Sequence, residues 1–153
     1  MRFRMNAKLR VLWLCNTPLG DSDIGGTGTW VGSMARGLLC CGSSELGIIA
    51  SGRVKSFMRS DFLGVKQWLV PAQAGTGRDG LPARTLVEAI VSAANDFAPD
   101  LVHVWGTELF WGLLSARGLI AHPALLEIQG LKGRIAEVFY GGLTFSEKLR
   151  CLG

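Results

Sequence analysis

Trp105, Gly106, Thr107 and Glu108 follow one another directly after the apolar run Leu101-Val102-His103-Val104. An indole, a glycine, a hydroxyl and a carboxylate in four consecutive positions can stack on a ring, admit a ligand to the backbone and hydrogen-bond its hydroxyls. Pro99-Asp100 ahead of the run is a turn signal and Gly106 stops it, so the segment reads as a buried strand that delivers polar groups to its own carboxyl end. In an open parallel sheet that end is where ligands bind.

Two further loops carry residues of the same kind. Gly25 and Gly26 lie in the long loop from Asn16 to Gly28, where a bare backbone can come close to a ligand and the amides opening the next helix favour an anion such as a phosphate. Two glycines equally well permit a plain turn, and both readings stand. Gln129 and Gly130, with Leu131 and Lys132, form a polar turn after the apolar segment Ala124 to Ile128. If the sheet is doubly wound, these three loops line one rim.

Other reactive residue types have plainer readings. His103 sits inside the strand, where a hydrogen-bonded core imidazole is expected, and His122 precedes Pro123 in a connecting loop at the surface. Glu108 opens a short helix, which the helix dipole favours as much as a ligand would. Trp111 is expected in the core; Trp105 fits either the core or a sugar-stacking position. No His, Cys or carboxylate cluster has metal-ligand spacing. Gly26-Thr27-Gly28 begins like a dinucleotide fingerprint, but Val31 stands where the third glycine belongs, and no acidic residue ends the segment Ala50-Ser51-Gly52 to hold a ribose. No Gly-Lys-Ser/Thr phosphate loop occurs either. Neither nucleotide-cofactor motif is present, and no residue is assigned a catalytic role.

The elements that must position these loops follow from periodicity. Lys8 to Cys15 reads as a first strand, Glu45 to Ala50 as a second, Val65 to Val70 as a third, Leu101 to Trp105 as a fourth and Ala124 to Ile128 as a fifth. Trp30, Met34 and Leu38, with Val31 and Ala35 beside them, recur at helical spacing after a cap at Thr27 or Thr29. Leu86, Val87, Ile90, Val91, Ala94 and Phe97 give the clearest amphipathic helix, ended by Pro99. Leu109 to Arg117 is a short apolar helix, and Thr144-Phe145-Ser146-Glu147 fits a capping box. This alternation indicates an α/β fold with a Rossmann-like, doubly wound parallel sheet in a single domain over residues 1–153.

Composition narrows the partners. With 48% hydrophobic and 18% charged residues the chain is suited to a packed core. A net charge of +4 with scattered Lys and Arg argues against nucleic acid, while its sign is compatible with an acidic ligand or a peripheral contact with an anionic membrane. No apolar run reaches bilayer length. Cys15 and Cys40 lie in apolar segments and are expected as buried reduced thiols, which points to the cytoplasm.

In order and spacing, the first strand with Asn16-Thr17-Pro18 and Gly25-Gly26, the segment Pro99 to Glu108, and Ile128-Gln129-Gly130-Leu131 resemble the N-terminal domain of retaining GT-B glycosyltransferases of the family 4 type. That resemblance covers nearly the whole chain. It implies an acceptor-side Rossmann-like domain, with a nucleotide-sugar as substrate rather than a cofactor, and a sugar or lipid-linked acceptor such as those of polysaccharide biosynthesis at the inner face of the membrane. It further implies that Gly25 and Gly26 approach the donor diphosphate, while Trp105, Gly106, Thr107, Glu108, Gln129 and Gly130 face the reacting sugar. Trp105 and Gln129 stand where the family often has histidines, so acid-base chemistry is not carried over to them. The donor-binding C-terminal domain of such enzymes lies outside these 153 residues, and the domain alone is expected to be inactive. The alternative expectation is a stand-alone doubly wound module that binds a small anionic ligand without chemistry.

Overall fold

The computed structural model describes residues 8–20 and 29–128. Gly25, Gly26, Thr27, Gln129, Gly130 and the capping box at 144–147 lie outside the described residues.

Nine elements follow in order: β1 (Leu9–Cys15), α1 (Thr29–Cys40), β2 (Ser44–Gly52), β3 (Met58–Arg59), β4 (Lys66–Pro71), α2 (Arg84–Phe97), β5 (Leu101–Trp105), α3 (Trp111–Ala116) and β6 (Ala124–Glu127). They build one six-stranded sheet in the order β3-β4-β2-β1-β5-β6. Five strands run parallel; the two-residue β3 pairs antiparallel with β4 at one edge. β3 was not among the expected strands, because two exposed residues give no periodicity to read. The architecture is α/β, a mostly parallel sheet flanked by helices, compatible with a Rossmann-like fold.

Strand alternation sorts the core into two layers. Leu12, Leu14, Ile49, Val70, Val102 and Val104 pack with Ile90, Ala94 and Phe97 of α2 and with Trp111 and Leu114 of α3. Val11, Trp13, Cys15, Ile48, Ala50 and Trp105 pack with Val31 and Ala35 of α1. In α1 the buried stripe runs through Val31 and Ala35, while Trp30 and Met34 are exposed, so the helix is turned by about one residue from the face led by the larger side chains. Cys40 corrects a second expectation: it is exposed, because at 100° per residue it lies about 140° around the helix from Ala35.

α2 ends where Ala98 takes a left-handed conformation (φ 48°) directly before Pro99, which fixes the stop. The chain then enters β5 through a reciprocal clasp. The Asp100 amide donates to the Arg10 carbonyl (2.8 Å), and the Arg10 amide donates to Asp100 Oδ2 (2.9 Å). This sets β5 beside β1 with Leu14 opposite Val104. From β1 the sheet grows through β2 to β4 in one direction, then restarts with β5 on the other side of β1. In open α/β sheets such a reversal, here between β1 and β5, marks the carboxyl-end rim at which ligands are expected.

Candidate functional site

The register places the residues that leave the sheet at the reversal. Leu14 pairs with Val104 and Trp105 with Glu127, so Asn16 after β1, Gly106 after β5 and Glu127 at the end of β6 lie along one rim. The Gly106 amide donates to the Glu127 carbonyl (3.1 Å), carrying the sheet one step past the assigned end of β5. Across the reversal, the Trp111 indole N–H donates to Asn16 Oδ1 (2.8 Å), tying the start of α3 to the end of β1.

The loop after β1 is held by one buried side chain. Gln67 on β4 accepts from the Leu19 amide through Oε1 (2.7 Å), and its Nε2 donates to the carbonyls of Leu19 (3.2 Å) and Ser60 (3.3 Å). An amide buried to 2% exposure must satisfy both ends, and these three bonds do so. The Cys15 thiol donates to the Thr17 carbonyl (3.2 Å), and burial pushes its pKa up to about 12. It is a protonated structural thiol at neutral pH.

After β5 the chain turns at Gly106, whose φ of +87° suits glycine. The Glu108 carboxylate folds back over it, occupying the space that a Cβ at position 106 would need. Thr107 and Glu108 are exposed at the rim. Trp105 is 7% exposed, and its ring stacks on His103 (centroids 4.1 Å apart, 27°), with Trp30 at 4.5 Å and the edge of Trp13 at 5.1 Å. It supports the rim from beneath. Its indole nitrogen is buried without a hydrogen-bond partner among the described residues. Trp111 occupies the opposite layer, as expected of a core residue, and is 1% exposed.

His103 is mostly buried on β5, with Nε2 3.4 Å from Glu127 Oε2 and outside hydrogen-bond geometry. Burial lowers its pKa, and the Glu127 carboxylate opposes that shift without overcoming it. The imidazole is neutral at neutral pH, an aromatic packing partner of Trp105 and Trp13 more than a proton carrier.

Of the expected site residues, the structure gathers Trp105, Gly106, Thr107 and Glu108 at the end of β5. Gly25, Gly26, Gln129 and Gly130 fall outside the described residues. Sequence reasoning did not single out Asn16 and Gln67 as site residues. For Asn16 the available signal was a polar residue immediately past an apolar strand. For Gln67 it was a polar residue inside one. Among the described residues no group of three or more His, Cys, Asp and Glu could hold a metal ion, and no helix is long and apolar enough to cross a membrane. No family model matches the chain, and no curated protein or solved structure matches it.

Proposed function

We propose that this chain is the acceptor-side domain of a retaining glycosyltransferase of the GT-B, family 4 type, with its ligand crevice at the reversal between β1 and β5. One observation carries the reading: polar residues leave the sheet where the order β4-β2-β1-β5-β6 changes direction, and such a switch point is where open α/β sheets take their ligands. Asn16, Thr107 and Glu108 supply an amide, a hydroxyl and a carboxylate there, a set suited to sugar hydroxyls. Gly25 and Gly26 follow β1 in sequence and are the candidates for close approach to a donor diphosphate. Gln129 and Gly130 follow β6 and are the candidates for the far side of the sugar. Trp105 acts by bracing the rim, since its ring faces are covered.

In this reading catalysis needs a donor-binding domain opposite the crevice, and residues 1–153 alone bind sugar without transferring it. The test is a transfer assay with a panel of nucleotide-sugars, paired with calorimetry on the same chain. Weak sugar binding with no turnover agrees with the proposal, whereas turnover by the 153 residues alone overturns the inactivity. Tight binding of inorganic phosphate, with none of sugars, favours the anion-binding module instead.

A further inference from the structure

We infer that Asn16 is the specificity-determining donor of the crevice, and that it reads an uncharged oxygen, a hydroxyl or ether, on a polyhydroxylated ligand. The inference rests on the proposed function for the location of the ligand and deepens it at one residue. An indole N–H can only donate, so the group that Asn16 turns toward Trp111 must be its carbonyl oxygen. The amide nitrogen is thereby committed to the other side, with two N–H donors that reach no described residue, on a side chain that is exposed at the rim. An exposed asparagine ordinarily rotates and flips freely. This one is anchored through Trp111, which is itself 1% exposed, and it stands on a loop held by two hydrogen bonds between Gln67 and the Leu19 backbone. Donors fixed before the ligand arrives cost little further ordering on binding.

The charge of the ligand follows from the neighbours. Among the described residues that leave β1, β5 and β6, namely 16–20, 106–110 and 127–128, there are two carboxylates, Glu108 and Glu127, and no Lys or Arg. A phosphate or carboxylate beside them would meet like charge, with no compensating cation among these described residues. Neutral hydroxyls meet a donor in Asn16 and an acceptor in Glu108.

The test uses the full 153-residue chain, labelled with nitrogen-15, and follows the Asn16 side-chain amide and Trp111 indole resonances. Methyl α-glucoside, glucose 1-phosphate, inorganic phosphate and UDP-glucose are titrated separately. Methyl α-glucoside is expected to shift the Asn16 amide, with inorganic phosphate leaving it in place. Asn16→Asp keeps an acceptor for Trp111 but loses both donors, so it is expected to weaken the glucoside about tenfold while the thermal midpoint and the Trp111 indole resonance stay close to those of the parent. Equal glucoside affinity in Asn16→Asp overturns the inference, as does a phosphate response at Asn16 equal to the sugar response. If UDP-glucose shifts the 106–108 amides while Asn16 responds to no sugar, the role of Asn16 falls and the proposed function survives. If no sugar perturbs the rim at all, both fall.

Discussion

Asn16 and Gln67 carry the same functional group and use it in opposite ways. Gln67 spends its oxygen on the Leu19 amide and its nitrogen on the carbonyls of Leu19 and Ser60, whereas among the described residues Asn16 spends only its oxygen. Gln67→Met keeps the volume but strands the amide and carbonyl of Leu19 and the carbonyl of Ser60. It is expected to destabilise the fold by about 2–3 kcal/mol in urea unfolding. His103 gives a pH signature. Its pKa is lowered in the folded state, so the unfolded chain takes up its proton first as pH falls. The stability it contributes is complete above the ordinary value of 6.5 and is lost as pH drops below it toward the native value. Between pH 7.5 and 5.5 the thermal midpoint of the parent should therefore fall more than that of His103→Gln; equal slopes would remove the burial argument. The cysteines divide just as sharply. Cys40 and Cys41 should react with a thiol reagent in the native state, and Cys15 only on unfolding. Mass mapping of the labelled peptides after a brief exposure checks this.

At the scale of elements, the contact between α2 and the sheet leaves little room. Gly47 on β2 faces Phe97, and a Cβ at that position would come within 2.8 Å of the Phe97 ring. Gly47→Ala is therefore expected to cost about 1–3 kcal/mol in denaturant unfolding through overpacking. A smaller cost in the Phe97→Leu background would identify the ring as the cause. The sequence announced α2 clearly, since its apolar positions keep helical spacing up to a proline stop, and the strands after it and before it were legible from apolar runs bounded by turn residues. It did not announce which face of α1 goes inward. Trp30 and Met34 are larger than Val31 and Ala35, yet small residues let the helix lie close to β1 and β2, and close packing decided the face. Nor did it announce that Trp105 would be buried between His103 and Trp30. A tryptophan at a strand end has the same local pattern whether its ring is covered or free, and only the placement of α1 distinguishes the two.

For the whole molecule, topology does what no single motif does. The return of the chain to the far side of β1 at β5 is recorded in long-range pairing, between residues such as Leu14 and Val104, that no local window contains. That return brings the ends of β1 and β5, and with them Asn16 and Glu108, to one rim of the sheet although they are far apart in sequence. The candidate site was thus half legible: the residues after β5 could be named from their types, while their partner across the reversal needed the sheet. Gly106→Ala joins the two levels. It forces a side chain into a left-handed turn and displaces the Glu108 carboxylate, so it is expected to cost about 1 kcal/mol or more in stability and to weaken sugar binding together.

The most direct test of the account is a map of backbone amide shifts in the full chain as UDP-glucose is added. Changes are expected to concentrate at 16–20 and 105–110, on both sides of the reversal between β1 and β5. Changes confined to another face of the molecule, such as the outer surface of α2, would contradict it.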